Sequence, residues 1–300
     1  MTTTLEHATH APSKGGGLAR RQNFLTAMIG GVVFAWLGWF LSHHFLDSTS
    51  RNYNDLVTTS LAIGWIFGFW LGIGALNGPG RWLIGADHTR ADDLYYAGEN
   101  QGRARYWKYC TDHKVVGIQY IVMTAVLLGA GGILAMAIRT ELIVPGNHFV
   151  NQQVYNGFVA VHGMLMILAL IVAVAGPWAN FVVPIMCGAR DMAFPRLNAL
   201  SLWTLVGAAG LLLSVLTVGS LTMGWVVLEP IADQAGVGMD LFAMSIIVFT
   251  VSTTVAGINT ICTVMTMRTK GMSLARLPIF VWASMIALSL IHISEPTRPY

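Results

Sequence analysis

Seven stretches of this sequence contain no Asp, Glu, Lys or Arg: Phe24–Leu46, Leu56–Gly80, Val115–Ile138, Asn147–Ala189, Leu197–Leu228, Leu241–Met267 and Leu277–Ser294. A helix needs about 20 apolar residues to cross the hydrocarbon core of a bilayer, and each of these windows is close to that length or longer. They predict spans at roughly 24–45, 57–78, 115–138, 156–186, 198–227, 241–266 and 277–294, an all-α polytopic membrane protein in contact with the lipid bilayer. Composition agrees: 55% of the 300 residues are hydrophobic and only 10% charged, against about 25% charged in soluble domains. Mean hydropathy is +0.62. A soluble globular domain, a disordered chain and a nucleic-acid binder are thereby excluded. The 32 Gly and 10 Trp suit helices that pack closely and carry Trp at the interface. Cys110, Cys187 and Cys262 stand far apart without a CxxC, so neither a disulfide scaffold nor a thiolate metal site is expected.

The basic residues orient the spans. With the N-terminus cytoplasmic, the inner segments hold 14 Lys and Arg and the outer ones only Arg51 and Arg139. Such a bias is the positive-inside signal, and miscounting one span would scramble it. Residues 1–23 form a cytoplasmic segment. They carry Glu6, two His and a Gly-rich stretch without a small-residue cleavage site, so they do not read as a cleaved signal. There is no internal repeat. The longest polar segment, Pro79–Lys114, reads as a solvated inner loop with a short surface helix.

Polar groups inside a membrane are costly and mark function. His162 sits within the fourth span; alone, it reads as a packed core residue, a proton relay or a metal ligand. His43 and His44 read as interfacial, and His113 as a surface anchor before the third span. Asn180 lies 18 residues further along the helix of His162, about 27 Å. Asp191, Pro195 and Asn198 crowd the turn that follows. Ser252, Thr253, Thr254 and Asn259 lie in the sixth span. Each alone reads as helix–helix hydrogen bonding. Together, with an acid at the inner surface, they outline a wetted path.

At these positions the chain resembles heme–copper oxidase subunit I. Thr111-Asp-His-Lys-Val-Val-Gly-Ile-Gln-Tyr120 is similar to the DHKxxGxxY that opens that family's first helix. Arg139-Thr-Glu-Leu, Tyr155-Asn, His162-Gly, Asn180-Phe-Val-Val-Pro, Gly188-Ala-Arg-Asp-Met-Ala-Phe-Pro-Arg-Leu-Asn198, Gly224-Trp, Asp240-Leu, Ile258-Asn and Leu277-Pro-Ile-Phe-Val-Trp282 follow in family order. The resemblance implies a truncated subunit I helical bundle: two extra transmembrane helices in 24–80, a cytoplasmic loop at 81–110, and the first five family helices, the fifth incomplete, in 111–287. It further implies a respiratory oxidase, proton-pumping and multi-pass in a bacterial-type inner membrane, that passes electrons to oxygen. Its partners would be a copper-bearing subunit II, a subunit III and an electron donor.

The resemblance assigns His162 as an axial ligand of low-spin heme iron, Arg139 to the heme periphery and Trp225 to the heme propionates. It assigns Asp191 as the mouth of a proton channel lined by Asn180, Asn198, Tyr120, Ser252, Thr253 and Asn259. Glu141 and Gly146 match a peripheral calcium or sodium site. The copper ligands, the high-spin heme ligand and the second low-spin ligand lie in later helices of the family, so the second heme and copper are expected only in a full-length protein. The family's GWTxYPPL reads Gly224-Trp-Val-Val-Leu-Glu-Pro-Ile here, a departure in an outer loop.

Quinol oxidases of the family place Arg and Asp where this chain has Ala130 and Leu134, and His and Gln where it has Val154 and Gly157. That favours cytochrome c as donor over quinol. Nitric oxide reductase shares the heme His but lacks the Asp191–Asn198 mouth, and a non-redox transporter would leave His162 as a substrate or proton site. The last residues, 288–300, read Leu-Ser-Leu-Ile-His-Ile-Ser-Glu-Pro-Thr-Arg-Pro-Tyr, which resembles a translated sequencing adapter. We therefore expect a fragment, inactive by itself, and His292 is excluded as a copper ligand.

Overall fold

The computed structural model describes residues 21–49, 52–83, 90–99, 101–146, 149–218, 221, 226 and 236–293. Among these all regular structure is helical. The long helices are α1 (Phe24–Phe45), α2 (Tyr53–Ile73), α5 (His113–Glu141), α6 (Gln152–Cys187), α7 (Pro195–Val218) and α8 (Val237–Thr266). These six are long and apolar enough to cross a membrane. Two short helices, α3 (Asn77–Leu83) and α4 (Arg90–Tyr96), lie between α2 and α5, and α9 (Ile279–Ile293) ends the described chain.

Side chains start these helices where the sequence offers short polar groups. Asn23 and Thr26 cap α1 reciprocally, at 3.1 and 2.8 Å. Asp112 accepts from the Lys114 amide at 2.8 Å to open α5. Asn151 accepts from the Val154 amide at 2.9 Å to open α6. Each occupies an amide that has no partner inside its own helix. Gly188, at φ 68°, ends α6, with Ala189 bonded back to the Pro184 carbonyl at 2.9 Å. That left-handed backbone suits Gly.

Six of the expected spans coincide with helices of membrane-crossing length, and the seventh with the shorter α9; of the expected fifth span, 198–227, residues 219–220, 222–225 and 227 lie outside the described residues. The second expectation, 57–78, is displaced: α2 begins at Tyr53 and stops at Gly74, φ 91°. A charge-free window runs past this stop because Ala75–Gly80 are uncharged though not helical with α2. The adapter-like stretch 288–300 overlaps the end of α9, and residues 294–300 lie outside the described residues.

The helices form sequential hairpins, α1 with α2, α5 with α6 and α7 with α8. In α7 67% of the apolar window is buried, in α1 only 11%, so α7 is central and α1 peripheral. One core joins Leu127 and Leu134 of α5, Leu165 of α6, Leu211 and Leu212 of α7 and Phe242 of α8. A second joins Phe69 of α2, Val116 and Tyr120 of α5 and Trp203 of α7. The added hairpin docks on α7 through Trp65 Nε1, which donates to the Gly207 carbonyl at 3.0 Å, and Trp70 Nε1, which donates to Thr204 Oγ1 at 3.1 Å.

The segment expected to be a solvated loop is partly packed. Tyr109, Cys110 and Asp92 are buried. The Tyr109 hydroxyl donates to the Arg196 carbonyl, and Gln119 Nε2 donates toward the carbonyls of Arg105, Tyr106 and Lys108 at 3.0–3.3 Å. Aromatic rings distributed among charges give this segment an apolar underside that hydropathy averaging hides.

Candidate functional site

His162 lies ten residues into α6 and faces α5. Its Nδ1 stands 2.8 Å from the Gly131 carbonyl. A carbonyl only accepts, so Nδ1 carries the proton and a neutral ring keeps its lone pair on Nε2. No hydrogen bond engages Nε2 among the described residues. Gly131 permits the approach: a Cβ there would meet Met166 Sδ at 2.8 Å. A ring with its far nitrogen fixed by a carbonyl is the usual arrangement of a metal-ligating His. Among the described residues no group of three His, Cys, Asp or Glu assembles. Arg139, two turns beyond Gly131 on α5, is exposed. Trp225 and the atypical loop at Leu228–Glu229 lie outside the described residues.

At the other end of α6, the turn 188–194 is held by α8. Asn259 Oδ1 accepts from the Phe194 amide at 2.8 Å and its Nδ2 donates to the Phe194 carbonyl at 3.2 Å. Thr263 Oγ1, one helical turn on, accepts from the Ala193 amide at 2.8 Å. Asn259 therefore grips the backbone of the turn with both ends of its amide. Asp191 Oδ1 accepts from the Met192 amide at 2.7 Å. Partial burial pushes the Asp191 carboxyl above its ordinary value, while the Met192 amide and then nearby His113 oppose the rise.

Behind this turn the polar residues approach one another. Tyr120 of α5 is 3.0 Å from Ser201 Oγ of α7. Ser201 donates its hydroxyl to the Asn198 carbonyl at 2.7 Å, so Tyr120 is the donor of the first bond. Ser252 of α8 donates to the Ser201 carbonyl at 2.6 Å. Among the described residues, fully buried Asn198 has no partner at either end of its amide, and Asn180, bonded through Nδ2 to the Gly176 carbonyl, has none at its Oδ1. A cavity bordered by Tyr120, Gly176, Asn180, Ser252, Thr253 and Thr260 leaves about 30 Å³ for the centres of water molecules. One water needs about 10–15 Å³ by that measure. Thr253 spends its hydroxyl on the Thr250 carbonyl at 3.0 Å.

Three participants escaped the sequence reading. His113, expected at the surface, is buried, and its Nδ1 donates to the Asn180 carbonyl at 2.9 Å. Its place beside Asp112 in the DHK motif was the available signal. Ser201 stands three residues after Asn198, and Thr263 four after Asn259, both helical spacings to a residue already singled out.

Near the other end of α5, Glu141 is buried and accepts from the amides of Phe149 and Val150 at 2.9 and 3.3 Å. It borders a pocket with Gly146, whose φ is 110°. The carboxylate thus holds the turn between α5 and α6.

Residues 115–297 match the family model described as cytochrome C and quinol oxidase polypeptide I, reaching ten residues into the adapter-like stretch. The chain is 39% identical over 192 residues to cytochrome c oxidase subunit 1 of Synechocystis sp., covering 64% of this chain and 35% of that one. It is 37% identical over 193 residues to cytochrome c oxidase subunit 1 of Thermostichus vulcanus, with 64% and 35% covered. It is 36% identical over 194 residues to quinol oxidase subunit 1 of Bacillus subtilis, with 63% and 30% covered. The chain spans about a third of the length of the curated relatives it matches.

Proposed function

Because the chain belongs to the cytochrome c and quinol oxidase polypeptide I family, we propose that it is the N-terminal part of the catalytic subunit of a respiratory terminal oxidase, taking electrons from cytochrome c and pumping protons. The observation that carries this reading is His162, with Nδ1–H fixed on Gly131 and Nε2 left to coordinate. Heme, when bound there, supplies a low-spin iron centre for electron transfer. Through the Nδ1 bond, Gly131 sets the ring's tautomer and orientation and raises the basicity of Nε2. Arg139 would bond the heme periphery and Trp225 would stand near the propionates. The high-spin heme and copper belong to the rest of a full-length subunit, with a copper-bearing subunit II and subunit III beside it.

Asp191 collects protons at the cytoplasmic end in this reading. Asn198, Asn180, Tyr120, Ser252 and Thr253 carry the path inward. Neutral amides and hydroxyls hold water in a file without adding a charge that would repel or trap the proton. The unpaired amide atoms of Asn198 and Asn180 support this role, since buried polar atoms of that kind take water as partner. Asn259 positions the mouth through its hold on Phe194. Glu141 and Gly146 remain candidates for a peripheral calcium or sodium ion.

Quinol as donor is the second reading, favoured by the 36% identity to a quinol oxidase subunit, close to the 39% of the Synechocystis relative. Four residues weigh against it: Ala130, Leu134, Val154 and Gly157 offer no side chain that can bond a quinol headgroup. Oxygen consumption by the complete purified oxidase decides the donor. Turnover with reduced cytochrome c is expected; turnover with quinol alone would overturn the assignment. A reduced spectrum without heme bands would overturn the oxidase reading itself.

A further inference from the structure

Arg196, five residues after Asp191, borders the same pocket as Asp191, Asp93, Tyr96 and Thr111. One guanidinium and two carboxylates thus face a common pocket. In the structure the guanidinium goes to Asp93 of α4, with Nη2 to Oδ1 at 3.1 Å. The guanidinium also lies over the Tyr96 ring, 5.9 Å from its centroid. Tyr96 is itself tied down: Asn77 Nδ2 donates to its hydroxyl at 3.0 Å, and its carbonyl accepts from the Thr111 amide at 2.8 Å. Asp93 and Tyr96 both come from the segment before α5, outside the matched region 115–297.

We propose that the added N-terminal segment positions the proton-uptake mouth: Asp93 and Tyr96 hold the Arg196 guanidinium off the Asp191 carboxylate that shares its pocket. This rests on the proton-channel reading of Asp191. A guanidinium paired with Asp191 would hold that carboxylate ionised and keep it from receiving and releasing protons near neutrality. The other charged and titratable groups around Asp191 are Asp112 and His113 at the start of α5 and Arg190 beside it in the chain. Arg268 and Lys270 stand past the end of α8, where the Thr269 amide bonds to the Cys187 carbonyl at 2.9 Å. Asp93 is a positioning residue: it moves no proton itself.

The test uses the complete oxidase, with proton uptake followed against pH. Asp93→Asn should slow uptake about tenfold above neutrality. It should also lower, by about 1–3 units, the pH at which uptake falls away, the shift an Arg partner produces on an Asp. Asp93→Glu should retain uptake. Adding Arg196→Gln to Asp93→Asn should restore it to within about twofold of the parent, which a merely structural loss would not allow. An Asp93→Asn enzyme with unchanged uptake, or a double variant no faster than Asp93→Asn alone, overturns the proposal. Asp191→Asn is run alongside. If it stops uptake while Asp93→Asn does not slow it, only this proposal falls; if it leaves uptake intact, the channel reading falls and this proposal with it.

Discussion

At His162 one hydrogen bond, from Nδ1 to the Gly131 carbonyl, leaves the lone pair of a neutral ring on Nε2, as the proposed heme ligation requires. In the complete oxidase, His162→Ala should abolish the low-spin heme band in the reduced-minus-oxidised spectrum, and an unchanged band would remove the assignment. Asp191 yields a prediction of opposite sense for stability and activity. Burial raises its pKa in the folded chain, so the native state binds that proton more tightly than the unfolded state. Stability from this group is then greatest at acid pH and declines as pH rises from the ordinary carboxylate value through the folded one. Asn has no charge to desolvate. Asp191→Asn should therefore be at least as heat-stable as the parent at pH 7 while proton uptake and turnover fall. Lower stability together with normal pumping would contradict both halves.

Among the elements, the α1–α2 hairpin rests on glycine. A Cβ on Gly64, Gly68 or Gly72 would stand 2.2–2.3 Å from the carbonyl oxygens of Phe34, Gly30 or Thr26 on α1. The two backbones touch, as small residues at fourfold spacing allow. Gly68→Leu should push the helices apart at a cost of about 1–3 kcal/mol, read as a lower melting temperature of the detergent-solubilised protein; Ile63→Leu, on an exposed face of α2, should leave it unchanged. The spans were readable in the sequence because they depend on local spacing; the Gly64, Gly68 and Gly72 row has the same local character but escaped the sequence reading. The close of α2 at Gly74 was not readable: a left-handed Gly and an uncharged continuation look alike in a hydropathy window. The packing of Tyr96 and Tyr109 was not readable either, since it depends on Asn77 and Arg196 meeting them from distant positions. At the site, motif spacing pointed to Asp191, Asn198 and His162. The grip of Asn259 on Phe194 and the burial of His113 needed α8 and α6 in place first.

For the whole molecule, the question is which end faces the cytoplasm. The helix alternation puts the α1–α2 turn and the α5–α6 turn at one end. It puts α3, α4, the Asp191 turn and the α8–α9 connection at the other. Of the Lys and Arg among the described residues, 12 fall on the segments of the Asp191 end and one, Arg139, on those of the opposite end. Membrane insertion retains such clusters on the cytoplasmic side. Proton uptake from the cytoplasm through Asp191 requires the same orientation, although the charge count uses nothing about the channel. Two exposed serines read the orientation directly. Ser48 lies in the α1–α2 turn and Ser273 between α8 and α9. In a Cys262→Ser background, with Cys110 and Cys187 buried, a membrane-impermeant maleimide added to intact spheroplasts should label Ser48→Cys. It should reach Ser273→Cys only after the membrane is opened. The reverse pattern would put Asp191 outside, and the uptake reading and the latch at Arg196 would both fail, since neither can draw protons from the cytoplasm through a mouth on the wrong face.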